Sequence, residues 1–258
     1  MTVPSSESGP TLLGVLRAAV AFLTRMPVGK RVIASSNFAW APSAFPLVGG
    51  AIGALSAVAL YCGAALGSLA AACLAVFVGV SVTGAFHEDG LADTADALWG
   101  TTSRERALEI MKDSRIGSYG AVVLVLMLIA RVALTAQTAA VAWIALPWAG
   151  CVARLGPVWL MTFLPHASPS TSKSKDLLAS PHACPLIATL GTLVIGAGLA
   201  VREPAMTVQL AGAALVVGVA SFWFARLGKR RLGGITGDLL GAAEQVGEVG
   251  VLLVFAWH

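Results

Sequence analysis

Long apolar runs recur along this chain, separated by shorter polar connections. A helix needs about 20 consecutive apolar residues to cross the hydrocarbon core of a bilayer. By that measure spans are predicted at 43–62, 68–86, 118–136, 139–163, 184–201, 205–225 and 239–257. The first two read as one hydrophobic hairpin broken between Gly63 and Ser68, and the last is weakened by Glu244 and Glu248. Ahead of them, Leu12 to Met26 is apolar but carries Arg17 and Arg25 and stops at Pro27. That pattern suits a helix lying in the membrane interface. The expected fold is all-α: a polytopic transmembrane helix bundle of about seven spans, with an N-terminal interfacial helix and acidic cytoplasmic helices. It is read as a single integral membrane domain over 1–258.

Composition agrees with the pattern. Only 12% of residues are charged and 57% are hydrophobic, with a mean hydropathy of +0.82. Soluble domains carry about a quarter charged residues, so a soluble globular protein is excluded. A pI near 9.1 reports membrane topology in such a chain, and no nucleic-acid partner is expected. Fourteen of the seventeen Lys and Arg fall in the N-terminal segment and alternate connections. They are Arg17, Arg25, Lys30 and Arg31, then Arg104, Arg106, Lys112 and Arg115, then Lys173 and Lys175, and finally Arg226, Lys229, Arg230 and Arg231. The positive-inside rule places these on the cytoplasmic side of the inner cell membrane and leaves His258 outside. Met1 to Pro10 lacks a basic n-region, so the first hydrophobic segment is expected to drive insertion. Cys62, Cys73, Cys151 and Cys184 lie in or beside apolar runs and read as small buried thiols. The Ser-, Pro- and Lys-rich connection over 164–183 reads as a linker or a substrate lid.

Chemistry concentrates in one stretch. Seven of the thirteen acidic residues lie between 88 and 113: Glu88, Asp89, Asp93, Asp96, Glu105, Glu109 and Asp113. In a helix Asp89, Asp93 and Asp96 stand at i, i+4 and i+7, within about 60° of one another. This helix is expected to continue the second span past the membrane surface. Thr102 and Glu105 form a capping box that starts a second helix near Ser103, on which Glu105, Glu109 and Asp113 recur every four residues. Three Asp at a bilayer centre would cost roughly 8–10 kcal/mol, so they belong at the interface or in a wet cavity. Stacked carboxylates repel, and a hard divalent cation such as Mg²⁺, Mn²⁺ or Ca²⁺ is the natural relief. A Mg²⁺ site of this kind commonly binds substrate phosphates. Lys112 and Arg115 could neutralise a phosphoryl group, and KRRLGGITGDLLG adds Gly233, Gly234, Gly237 and Asp238. Glu105 and Glu109 read as exposed helix surface, and Arg131 and Arg154 as snorkelling or paired with acids inside the bundle.

HEDGLADTADAL, followed by EIMKDSRIGSYG and RRLGGITGDLLGA, resembles the cobalamin synthase family, the adenosylcobinamide-GDP ribazoletransferases. FLTRMPV and FPLVGGAIG are similar to the same family, and the matches run in order from about residue 22 to 245. The resemblance implies a phosphodiester-forming transfer with Mg²⁺ as cofactor. The ribose hydroxyl of α-ribazole, or of its 5′-phosphate, attacks the cobinamide-side phosphorus of adenosylcobinamide-GDP, and GMP leaves. Carried over, Asp89, Asp93 and Asp96 are metal ligands, with Glu88 a further one. One aspartate not committed to metal takes the hydroxyl proton. Asp113 and Arg115 contact phosphate or metal. His87, Lys112, Gly234, Thr236, Gly237 and Asp238 belong to the substrate pocket. The family has glycine where this chain has Ala97, which removes a tight turn and leaves the carboxylates intact.

The implied partners are the two small-molecule substrates and the lipid bilayer, and a homo-oligomer is compatible with them. Two other classes compete. A CDP-alcohol phosphotransferase would have an Ala-Arg pair after Asp89-Gly90, and none follows. A divalent-cation transporter would set its acids at mid-span on interrupted helices, whereas these cluster at a span end.

Overall fold

The structure is a computed structural model that describes residues 9–29, 32–167 and 180–257. Lys30, Arg31, Lys173, Lys175, His258, the first eight residues and most of the Ser/Lys-rich connection lie outside the described residues.

Among the described residues the regular structure is helical, apart from one isolated bridge between His166 and Ile235. The chain opens with α1 (Leu12–Leu23), whose N-cap Thr11 accepts the Gly14 N–H at 3.1 Å. At twelve residues, α1 is too short to cross a bilayer. Next come α2 (Ser35–Trp40) and α3 (Phe45–Cys62), joined by a short 3₁₀ turn, then α4 (Ser68–Thr83), α5 (Phe86–Gly100) and α6 (Arg104–Ile110). The bundle is completed by α7 (Ser118–Gln137), α8 (Ala142–Ala153), α9 (Leu155–Phe163), α10 (Cys184–Arg202), α11 (Thr207–Arg231) and α12 (Gly237–Ala256).

Six stretches are long and apolar enough to span: Ser35–Cys62, Ser118–Gln137, Ala139–Phe163, Cys184–Arg202, Pro204–Arg231 and Gly237–Ala256. The 16-residue α4 is the apolar part of a seventh, broken candidate, and α5 turns away from it by 88°. The protein is thus an all-α polytopic membrane protein. Its outer faces fit that solvent. On α7, Val122, Val125, Leu126 and Ile129 form one stripe and are all more than half exposed. Such a patch would drive aggregation in water and is at home against lipid tails.

The inner faces pack through small residues. Gly49 on α3 and Gly150 on α8 sit so close that a Cβ on either would strike the other's carbonyl oxygen. Glycine lets two apolar helices approach backbone to backbone, which supplies the dispersion contact that lipid cannot out-compete. α12 is the central post, burying Leu239, Ala242, Val251 and Phe255 against helices on several sides.

The expected straight continuation of the second span into the acidic helix is corrected here. Gly84 and Ala85 both adopt left-handed backbone, with φ of 67° and 58°. Two such residues in succession end α4 and restart the chain in a new direction, an expensive conformation for Ala85. The break is stabilised by Ala85 N–H donating to the Val80 carbonyl at 3.0 Å and by the Arg25 side chain lying against Gly84.

Candidate active site

α5 reaches the rest of the bundle through glycine. A Cβ on Gly90 would lie 2.9 Å from the Cα and carbonyl oxygen of Asp238, and one on Gly241 would lie 3.3 Å from His87 Cα. The two helices therefore touch backbone to backbone, and the start of α12 rests on the middle of α5. Asp89, one residue from the contact, is exposed, whereas Asp93 and Asp238 are half-buried. Their charges feel one another. Asp93, on a helix that turns away from its span, has its pKa raised to about 7, first by burial and then by the charges of Asp89, Asp238 and Asp96. No ion pair neutralises Asp89, Asp93 or Asp238 among the described residues.

Asp96 points elsewhere. Its two carboxylate oxygens accept the Gly117 N–H at 2.7 Å and the Gly120 N–H at 2.9 Å. Those are the free amides at the start of α7, so Asp96 caps that helix and meets the positive end of its dipole. A Cβ on Gly117 or Gly120 would collide with the Asp96 side chain, which accounts for glycine at both places.

Glu88 also faces away from the Asp89 side, into the bundle. It is 5% exposed and its Oε1 accepts from Arg131 at 2.7 Å. His87 is equally buried, with Nδ1 3.5 Å from Glu244 Oε2. Both line a small interior cavity of about 30 Å³, with Ser56, Thr135, Arg131 and Arg154 among its walls. That is room for a water or two rather than for a substrate.

The Gly-rich turn is anchored on both sides. Thr236 caps α12 by accepting the Leu239 N–H at 3.1 Å. Ile235 N–H donates to the Pro165 carbonyl at 2.8 Å, and Ala167 N–H donates to the Ile235 carbonyl at 2.9 Å. Gly233 needs its positive φ of 75°, and a side chain on Gly234 would strike the Pro165 carbonyl. Gly237 faces open space. Two arginines brace this turn. Arg104 donates to the Leu232 carbonyl at 2.6 Å, and Arg231 donates to the Thr101 carbonyl at 2.6 Å and to the Leu98 carbonyl at 2.9 Å. The residues that the two motifs contribute are thus brought together by groups that the sequence pattern did not single out.

The second acidic helix is shorter than expected. Ser103, not Thr102, is its N-cap, with its hydroxyl accepting from Arg106 and donating to Glu105. α6 ends at Ile110, so Asp113 lies beyond it in a turn. There Asp113 and Arg115 bind each other in bidentate fashion at 2.6–3.2 Å, and the guanidinium pulls the Asp113 pKa down to about 2. Both hold to each other rather than to the α5 carboxylates. Lys112 is exposed beside them, and Glu105 and Glu109 are on the surface.

Buried charges inside the bundle form the one constellation whose membership the sequence reading left open. Arg131 pairs with Glu88 and Glu248, and Arg154 pairs with Glu244 and Glu248, all at 2.7–3.0 Å. The signal was there: two arginines within spans opposite two glutamates spaced i, i+4 on the last one.

The cobalamin-5-phosphate synthase family model matches residues 15–256. The chain belongs to that family. It is 42% identical over 246 residues to the adenosylcobinamide-GDP ribazoletransferase of Leptothrix cholodnii, covering 91% of this chain and 92% of that protein. It is 37% identical over 265 residues to the protein of the same name from Bradyrhizobium diazoefficiens, covering 98% and 97%. No solved structure matches it. The match runs from within α1 to the end of α12, so the acidic α5, the capped α7 and the Gly-rich turn before α12 all lie within the family's extent. The family membership that the two motifs implied is established, and the chain is an enzyme of cobalamin synthesis.

The donor set can be weighed against Mg²⁺. Among the described residues no three His, Cys, Asp or Glu side chains converge into a ready-made cage. Mg²⁺ does not require one, since it is usually held by one or two carboxylates, with waters and substrate phosphates completing the shell. Asp89, Asp93 and Asp238, neighbouring oxygen donors without counter-ions, fit that mode. Asp96 and Glu88 have their carboxylates engaged elsewhere.

Proposed function

We propose that the protein joins the adenosylcobinamide phosphate of adenosylcobinamide-GDP to the ribose hydroxyl of α-ribazole or α-ribazole 5′-phosphate, with release of GMP. The reading is supported above all by the crossing of α5 and α12, which gathers unpaired carboxylates beside the start of a helix. Anionic phosphates and a divalent cation are the ligands that such a place suits.

In this reading Asp89, Asp93 and Asp238 hold Mg²⁺, which when bound screens the phosphate charge and draws electrons from phosphorus. The Gly237 N–H, at the start of α12, takes a phosphate oxygen, with Gly237 leaving the approach open. A carboxylate of this group that is left outside the metal shell accepts the proton of the attacking hydroxyl. Asp96 sets the start of α7 beside α5, and the Arg104 and Arg231 braces hold the Gly-rich turn in register. Lys112, exposed and close in sequence, is available to the diphosphate. Arg226, Lys229, Arg230 and Arg231 near the end of α11 support, by the positive-inside rule, a mouth that opens to the cytoplasm from the inner membrane.

The test is GMP release from adenosylcobinamide-GDP by purified protein in detergent. Release that needs both α-ribazole, free or phosphorylated, and Mg²⁺ is the expected result. GMP formed without the ribazole acceptor would indicate hydrolysis and overturn the assignment as a transferase.

A further inference from the structure

The reacting carboxylates stand on α5 and α12, yet the strongest polar contacts of α5 are made on its opposite side. Glu88, one residue before Asp89, gives its Oε1 to Arg131 of α7 at 2.7 Å. The same guanidinium reaches α12, with Nη2 2.8 Å from Glu248 and Nη1 3.0 Å from Gln245 Oε1. Arg131 therefore ties together the two helices whose crossing makes the site. α7 grips α5 a second time at its surface end, where Gly117 and Gly120 hold Asp96. Glu88 and Asp96 are eight residues apart, about 12 Å along the helix, with Asp89 and Asp93 between them.

We infer that Glu88 is a positioning residue for the proposed reaction. Its bond to Arg131 locks the roll and height of α5 against α12, so that Asp89 and Asp93 meet Asp238. The inference rests on the reading of those aspartates as the reacting site. It assigns Glu88 a place behind that site rather than in the metal shell, where the family resemblance had put it.

Glu88 is not the only partner of the guanidinium that it holds. When Glu88 is removed, Arg131 keeps Glu248 and Gln245. Breaking one arm of a buried ion pair costs stability, and here the broken arm is the one that joins α5 to α7, so the loosening should fall on α5 first.

Two variants test this, each read by hydrogen exchange and by turnover. Glu88→Met removes the tether and leaves Arg131 with Glu248 and Gln245, so the protein should still fold but melt below wild type. The amides of residues 89–96 should exchange faster, with those of α3 and α8 unchanged. The expected fall in kcat is on the order of a hundredfold with KM little altered, the size expected of a misplacement of about 1 Å. Glu88→Gln keeps an oxygen for Arg131 and should restore both exchange and turnover, which it could not do for a metal-binding carboxylate. Wild-type exchange over 89–96 in the Met variant would overturn the inference, as would loosening spread evenly through α3 and α8. A Gln variant with wild-type exchange but no turnover would also overturn it, by showing that Glu88 acts directly. If wild-type protein releases no GMP, the proposed reaction fails, and the exchange readout still decides whether Glu88 holds α5.

Discussion

Asp93 is the residue on which the chemistry turns. Burial and three neighbouring carboxylates raise its pKa to about 7, against 3.8 for a free side chain. A carboxyl group raised in the folded state favours folding while it is protonated, and that contribution is lost as pH rises through the folded value. In EDTA, Asp93→Asn should therefore melt above wild type at pH 8, and the difference should shrink toward pH 4. A pH-independent difference in melting temperature would show that the carboxylates do not interact. The same variant should lower turnover by about 10²-fold or more while inserting normally, since it removes one of the carboxylates that gather the proposed charge-stabilising cation. Glu105→Gln is the control: its carboxylate lies on the exposed surface of α6, and turnover should change by less than about twofold. A large loss there would return α6 to the site. At this scale the sequence pattern was informative about which aspartates cluster but not about where each points. Asp89, Asp93 and Asp96 share a helical face, yet Asp96 is drawn off by the bare amides of α7, a partner that lies 21 residues away for Gly117 and 24 for Gly120.

Among elements, the crossing of α5 over α12 carries the site, and glycine permits it. Gly90→Ala would put a methyl 2.9 Å from the backbone of Asp238, where nothing can yield cheaply. We expect a loss of about 1–3 kcal/mol from overpacking, together with impaired turnover. Gly237→Ala meets open space and should leave melting close to wild type, so a comparison of the two melting temperatures isolates the crossing. Helix positions were legible because apolar runs are long, and Ser118–Gln137 and Cys184–Arg202 fall within a residue of expectation. The turn between α4 and α5 was not. Nothing in the composition of Thr83-Gly84-Ala85-Phe86 announces two consecutive left-handed residues, because the turn is held by the Val80 carbonyl and the Arg25 side chain rather than by Ala85's own preference. The cap of α6 shifted by one residue for a smaller reason: Thr102 and Ser103 are both capping residues, and local sequence does not choose between them.

For the molecule as a whole, apolar outer faces and charged ends describe a protein solvated by two media at once. Topology follows from the basic connections, and it predicts which surface meets the cytosol. Cys151 and Cys184 are buried as expected, but Cys62 and Cys73 are exposed, and Cys62, where α3 turns toward α4, should lie on the outer side. A membrane-impermeant maleimide should label it in cells with a permeabilised outer envelope and an intact inner membrane. A cysteine introduced by Lys229→Cys into a Cys62→Ser background should react only after lysis. The opposite labelling would invert the bundle and remove the site from the cytoplasm. Fold class and family were readable from hydropathy and two motifs because those features are local. The interior ion network was only half readable, since pairing Arg131 and Arg154 with particular glutamates requires knowing which faces of α5, α7, α8 and α12 turn inward.

The central claim is that Asp89, Asp93 and Asp238 together form a divalent-cation site where α5 meets α12. Its most direct test is an experimental structure of the protein soaked with Mn²⁺, in which the ion is located by its anomalous or difference signal. The account predicts one ion in contact with at least two of those three carboxylates, and none against Glu88. An ion bound elsewhere, or none at a concentration that supports turnover, would contradict it.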